Sequence, residues 1–152
     1  MATGFDIKPV IQAIESFVAQ NGYQGKVGVG EPKSPPAEEI AAAVFLRSLS
    51  VIDATLTTLD GHAMVTIRLY RDMLAEPTED NEYKLAAAAF QLLADVAAGF
   101  TLSGLVRHVD FAGAGGNTLV VQFGYTDIGG RLFRIADIDM PMIINDIATL
   151  TA

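Results

Sequence analysis

The sequence contains no cysteine and no tryptophan, and it has only two histidines among its 152 residues. Without cysteine the chain has no disulfide, no thiolate zinc site and no thiol nucleophile. No apolar run approaches the roughly 18 residues that a membrane-spanning helix needs. The first residues lack a basic stretch followed by an apolar run, so we expect no signal peptide. What remains is a chain that depends on packing and on ordinary polar side chains.

Positive charge is also scarce. Ten lysines and arginines stand against 18 aspartates and glutamates, which gives a formal net charge of −8. Because a nucleic-acid binder normally carries a basic patch, this balance is poorly suited to gripping DNA. The length predicts one domain, covering residues 1–152, which is large enough to bury roughly two-thirds of its unfolded surface.

Two segments have the apolar spacing of amphipathic helices. Residues 6–20 are predicted to form the first, with Asp6 capping its free N–H groups and Asn21-Gly22 ending it. Residues 80–98 are predicted to form the second, with acidic residues at its start and Gly99 at its end. The two apolar stripes are Val10, Ile11, Ile14, Phe17 and Val18 in the first, and Leu85, Ala89, Leu92, Leu93 and Val96 in the second.

The remaining apolar segments have the character of strands. Asp60-Gly61 is a hairpin turn signal, and residues 64–71 after it alternate between apolar and polar. Pro141 is expected to interrupt any ladder that residues 140–144 extend. The other predicted strands are residues 26–30, 41–52, 105–111, 118–125 and 131–138, with turns at 113–117 and 127–130. Because the strands cluster and do not alternate with helices, we predict an α+β fold: a mostly antiparallel β-sheet with two main helices packed against it.

One pair of carboxylates is a candidate for chemistry. Asp137 and Asp139 are two residues apart and share a strand face, and paired carboxylates can bind magnesium or calcium. The alternative is a solvated polar pair. Phe133 and Ile135 would fall on that same face, so we expect a bulge or a strand end near Ala136.

No other motif predicts catalysis. His62 and His108 have no metal-ligand spacing between them. The glycine-rich residues 113–117 lack the third glycine and the following helix that a dinucleotide site requires, and no serine lies in G-x-S-x-G. We therefore predict no catalytic residue, no metal ligand and no cofactor. The acidic residues 76–82 are either a solvated loop or a docking loop, and an open sheet would offer edges to another chain.

Three stretches of the sequence resemble tail terminator proteins of long-tailed, siphovirus-type phages that infect actinobacteria. The first is residues 67–77 (IRLYRDMLAEP), and the second is residues 106–110 (VRHVD). The third is the closing run, with Gly124-Tyr125, Phe133-Arg134-Ile135 and residues 140–146 (MPMIIND). The similarity covers about residues 5–147.

The resemblance implies an α+β subunit of a hexameric ring, with no enzyme activity and no cofactor. Such a ring binds the head-proximal end of the tail tube, stops its polymerisation and joins the head-completion or connector proteins. DNA only passes through its opening, no membrane is involved, and the protein belongs to the virion neck after assembly in the host cytoplasm. Together with the acidic loop, these motifs supply the interface candidates, which are Arg71, Met73, Glu76, Glu79, Asp80, Asn145 and Asp146.

Three alternatives stay open. The first is another ring protein of the phage neck, such as a head completion factor or stopper. The second is a small-molecule-binding domain or enzyme that uses Asp110, Asp137 and Asp139; a dry pocket that holds carboxylates with shifted pKa values would favour it. The third is a remnant of the same phage module in a bacterial genome.

Overall fold

The sheet and helices are known from a computed structural model that describes residues 2–20, 27–29, 40–55, 57–73, 81–97, 108–109 and 119–150. Within these residues two helices and seven strands follow one another along the chain. In order they are β1 (Ala2–Gly4), α1 (Lys8–Gln20), β2 (Val27–Val29), β3 (Ala41–Ala54), β4 (Thr58–Asp72), α2 (Asn81–Ala97), β5 (His108–Val109), β6 (Val120–Ile128) and β7 (Arg131–Leu150). The predicted α+β fold is confirmed.

All seven strands belong to one sheet, and β7 is its shared centre. On one side β7 pairs with β4, and on the other it pairs in succession with β6, β5 and β1. The outer partner of β4 is β3, and β2 pairs with β3. Every pairing is antiparallel except that of β2 with β3, which is parallel. The sheet is therefore mostly antiparallel, as predicted.

Both helices pack on one face of the sheet. Because side chains alternate along a strand, every second residue of β4 and β7 faces the helices. Ile67 and Ile138 are directly opposite each other and fully buried there. The core that they share with the helices also contains Val10, Ile11, Ile14 and Val18 of α1, and Leu85, Ala89, Leu92 and Val96 of α2. The predicted helix stripes are thus confirmed, with Phe17 and Leu93 packed at their margins.

Local signals at the chain's turns and caps account for several boundaries. Asp6 accepts a hydrogen bond at 3.0 Å from the backbone N–H of Lys8, in the first turn of α1, as predicted. The predicted turn after Asp127 is also confirmed. Gly129 and Gly130 have φ of 59° and 84° and join β6 to β7, the two-residue arrangement that positive φ values favour.

The turn predicted at Asp60-Gly61 is wrong. Both residues lie inside β4, and the chain reverses earlier, where the N–H of Thr55 donates to the carbonyl of Thr58 at 2.8 Å. The glycine serves a different purpose. A Cβ at Gly61 would lie 2.7 Å from the side chain of Ile147, so its absence lets β7 pack closely against β4.

The last strand is much longer than predicted. It continues through Pro141 to Leu150, so the proline does not interrupt it. Pro141 is opposite Met64 in β4, and on its other side it falls between Asp139, paired with β6, and Met142, paired with β5. A proline lacks the N–H that strand pairing uses. Neither β6 nor β5 pairs with Pro141, so no N–H is required at this position on that side of β7. The acidic loop and the turn at 113–117 lie outside the described residues.

Candidate interaction surfaces

A polar cluster occupies the sheet face opposite the helices. It consists of two arginines, two aspartates and a threonine from three adjacent strands: Arg47, Thr66, Arg68, Asp137 and Asp139. Arg68 donates two hydrogen bonds to Asp137, from Nε to Oδ1 at 2.6 Å and from Nη2 to Oδ2 at 2.9 Å. The hydroxyl of Thr66 donates to Asp139 at 2.6 Å and accepts from Arg47 Nε at 2.8 Å. These contacts link β3, β4 and β7 across this face of the sheet.

The predicted carboxylate pair is therefore an ion-paired pair. Arg47 reaches both partners, at 3.5 Å from Asp137 and 3.2 Å from Asp139. Two arginines thus balance the two carboxylates, and their donors occupy positions that a cation would need. Across the residues that the structure describes, no three His, Cys, Asp or Glu side chains are grouped as metal ligands. The solvated alternative is also inaccurate, because both carboxylates are largely buried.

The predicted bulge near Ala136 is wrong as well. β7 stays in continuous register with β4 from Phe133 to Ile144. The apolar and charged residues share the face without conflict because they occupy different ends of it. Phe133 and Ile135 belong to a separate buried cluster, in which Phe133 meets Tyr70 edge-on with ring centroids 6.4 Å apart.

An exposed apolar stretch lines the side of β3. β2 pairs only with residues 42–44, so residues 46–51, the β3 edge, pair with no other described strand on that side. Leu46, Leu49 and Val51 face the same way as the core, yet they are 41%, 54% and 56% exposed.

Next to this stretch lies an apolar groove of about 130 Å³. Its walls come from the start of the chain, from β3 and from the second half of β7: Phe5, Ile7, Leu46, Leu49, Ile144 and Ile147. An engineered cavity of about 150 Å³ holds a benzene molecule, so the groove has room for roughly one aromatic ring.

A second exposed apolar stretch lies at the opposite edge of the sheet, along β6. Residues 120–128, the β6 edge, pair with β7 and with no other described strand. Phe123 and Tyr125 are 42% and 59% exposed on the helix side of the sheet. Arg134 lies against both rings, 5.7 and 4.5 Å from their centroids, and donates to Glu82 of α2 at 2.9 Å. The aromatic side chains are therefore held in place while they remain accessible.

The predicted interface residues are scattered in the structure. Arg71 is buried in β4, Met73 is half-buried just after it, and Asn145 is exposed on β7. Glu76, Glu79 and Asp80, with Asp110, lie outside the described residues, and so does the side chain of Asp146. His62 is buried inside β4, opposite Ile143. It does not follow a turn, because the predicted Asp60-Gly61 turn is part of the same strand.

Sequence reasoning missed the two edges. Arg47 breaks the apolar alternation of β3 by adding one residue between Leu46 and Ser48, where the register with β4 shifts. The alternation of Phe123 and Tyr125 with Gln122, Gly124 and Thr126 was visible in the sequence and indicated one apolar side. What it does not indicate is that this side lies on an edge, because edge position depends on the order of strands.

Comparisons with known proteins give structural likenesses but no match at the sequence level. The chain matches no protein-family model and no curated protein sequence. Among solved structures it is similar to the sheath/tube terminator of an extracellular contractile injection system, PVC, in the extended state. The TM-score is 0.39 at 12% sequence identity, and the match covers 99% of this chain and 62% of that one. The chain thus spans less than two-thirds of that protein's length.

Proposed function

We propose that the chain is a structural tail terminator, a subunit of a hexameric ring on the head-proximal end of a phage tail tube. The ring ends tube polymerisation and offers the joining surface to the head-completion or connector proteins. The observation that carries the proposal is that exposed apolar side chains lie along two opposite edges of one sheet: Leu46, Leu49 and Val51 on β3, and Val120, Phe123 and Tyr125 on β6.

Two different edges on one chain favour a ring. A contact between unlike surfaces is heterologous, and such a contact produces a closed ring when the rotation between neighbours divides a full turn. Open sheet edges are sites where another chain can add a strand, and natural proteins cover them unless they use them. A chain that offers one sheet edge to the neighbour on one side and the other edge to the neighbour on the other side supplies every contact that a ring requires.

The residues that resemble tail terminators lie together in the fold. Residues 67–71 lie near the C-terminal end of β4, and 133–135 and 140–145 are in β7, its neighbour. Tyr70 is opposite Ile135 and Arg71 is opposite Arg134. These parts of the similar stretches thus lie on two adjacent strands at the centre of the sheet, which supports a shared architecture for residues 1–152 as one domain.

The proposal assigns no enzyme activity and no cofactor to the chain. Its partners are further copies of itself, the tail tube protein and the neck proteins, and DNA only passes through the opening. Glu76, Glu79, Asp80, Asn145 and Asp146 are proposed contacts with these partners, and the protein belongs to the virion tail. In the described part of the chain, neither helix is long and apolar enough to cross a membrane.

A tube-capping assay tests the proposal. Purified tail tubes are incubated with free tube protein, with or without this protein, and their lengths are measured by electron microscopy. We expect the protein to stop elongation and to appear as a disc on one end of each tube. Tubes that elongate at the same rate in both samples would refute the function.

Deletion of the gene in a phage that carries it separates the terminator from its neighbours in the neck. Loss of a terminator gives overlong tubes or tails that are not joined to heads. Leaky heads beside tails of normal length would instead identify a head completion factor.

A further inference from the structure

We infer that the β6 edge of one copy pairs antiparallel with the β3 edge of a second copy, so that Phe123 enters the second copy's apolar groove. This inference rests on the proposed function, because it names the contact that closes the ring. The occupant of the groove is thus a second copy of this chain.

Within its own residues, 120–128, the β6 edge carries no bulge, proline or lysine that would hinder strand pairing. Edge strands are commonly blunted by bulges, prolines or lysines. β6 has the sequence Val-Val-Gln-Phe-Gly-Tyr-Thr-Asp-Ile, without lysine or proline, and it pairs with β7 in one uninterrupted register. Nine residues at about 3.3 Å each make an edge roughly 30 Å long.

The outward backbone groups of β6 belong to the residues with exposed rings. In an antiparallel hairpin, residues alternate between bonding to the partner strand and pointing away from it. The two-residue turn makes Ile128 and Arg131 a bonded pair. Counting from there, the N–H and C=O groups of Val121, Phe123 and Tyr125 point away from β7.

Strand direction favours the β3 edge as the partner. The strands β6, β7, β4 and β3 are successive antiparallel neighbours, so β6 and β3 run in opposite directions. A rotation about an axis parallel to the strands preserves both directions. A second copy placed in this way presents its β3 antiparallel to β6, and repetition of the step leads around a ring.

The two faces of the edges also match. Phe123 and Tyr125 lie on the helix side of β6, and Leu46, Leu49 and Val51 lie on the helix side of β3. On the other side, Gln122 and Thr126 would meet Ser48 and Ser50, so polar side chains face polar ones. Leu46 and Leu49 also line the groove, which therefore begins where the incoming β6 would lie.

The absence of native cysteine makes a crosslinking test specific. Two variant proteins are made, Gln122→Cys and Ser48→Cys, each altered at an exposed residue on the polar side of its edge. They are mixed, either on tube ends or at high protein concentration, and then oxidised. Ser50→Cys replaces Ser48→Cys in a second mixture to allow for register. We expect covalent dimers in at least one mixture. A variant that carries both cysteines of that mixture should give crosslinked species of increasing size, up to a closed ring. Ser16→Cys on exposed α1 is the matched control and should give none with Gln122→Cys.

A pair of phenylalanine variants tests the groove. Phe123→Asp should weaken self-association at least tenfold in analytical ultracentrifugation on the assembled protein. Phe90→Asp, at an even more exposed phenylalanine on α2, should leave it unchanged. Circular dichroism checks that both variants keep the parent's secondary structure.

Several outcomes would overturn the inference while leaving the terminator function intact. Gln122→Cys that crosslinks only to itself would indicate pairing of β6 with β6. Rings that still cap tubes, but without any crosslink from β6 to β3, would place the interface elsewhere. Phe123→Asp that blocks tube binding but leaves self-association unchanged would assign the β6 edge to the tube protein. A parent protein that never caps tubes would instead refute the proposed function.

Discussion

The bidentate contact between Arg68 and Asp137 allows a quantitative test of the polar cluster. We expect Asp137→Asn to lower the free energy of unfolding by about 2 kcal/mol. An amide has one acceptor oxygen in place of two, so one hydrogen bond to the guanidinium is lost and Arg68 keeps an unbalanced charge.

The magnitude follows from burial. Exposed ion pairs contribute about 0–1 kcal/mol, whereas removing one partner of a buried pair costs about 3–5 kcal/mol. The side chains of Arg68 and Asp137 are 15% and 13% exposed, which places this pair between the two cases. In a chain of this length, a loss of about 2 kcal/mol lowers Tm by roughly 4–8 °C.

The chain contains a matched control for the same chemical change. Glu82→Gln also converts a carboxylate to an amide opposite an arginine, but Glu82 is 66% exposed. We expect a loss of about 0–1 kcal/mol there. Both variants are compared with the parent by urea denaturation, followed by circular dichroism.

A double-mutant cycle completes the test. Arg68→Met and Asp137→Asn together should cost less than the sum of the two single losses, with a coupling energy of about 1–3 kcal/mol. Equal losses for Asp137→Asn and Glu82→Gln, or strict additivity in the cycle, would refute the idea that the pair acts as one buried unit.

Four further predictions concern stability, each measured by urea or thermal unfolding of the free protein. Ile138→Ala should cost about 2–5 kcal/mol because the side chain is fully buried in the core, whereas Leu49→Ala, at an exposed edge, should change stability by at most about 0.5 kcal/mol. Thr66→Val should cost about 1–3 kcal/mol because it leaves Asp139 and Arg47 without a hydroxyl partner; no loss would show that the hydroxyl is dispensable. Gly130→Ala should cost about 1 kcal/mol because φ is +84° there, and a stabilised variant would contradict this. Asp6→Ala should cost about 0.5–2 kcal/mol through the lost helix cap, and an unchanged stability would contradict the capping role.

Local patterns predicted the helices and most strands because those signals act over a few residues. The stripe from Val10 to Val18 has helical spacing in any context, and the glycines at 129 and 130 supply the positive φ that their turn needs. The predicted turn at Asp60-Gly61 failed because the same dipeptide also fits a strand where a neighbour packs closely. Only the position of Ile147, 86 residues away from Gly61, determines which use applies.

The candidate surfaces were less accessible to sequence reasoning. Asp137 and Asp139 were recognised as a pair, but their partners Arg47 and Arg68 come from distant strands, so the charge balance was not visible. Likewise, Leu46 and Phe123 are apolar residues of the types that usually form a core. Their exposure follows from the order of strands in the sheet, which no short window of sequence contains.

The central position of β7 has a consequence for the order of events during synthesis. Among the described strands, the one that β4, β6, β5 and β1 all require follows every one of them along the chain, so it leaves the ribosome after them. β1, near the first residue, must wait for residues 148–150 before it finds its partner. The hairpin of β3 and β4 can form early, but the side of β4 that later receives β7 stays uncovered until then. Because such long-range pairing is slow, the nascent chain is most vulnerable to association with other chains just before β7 emerges.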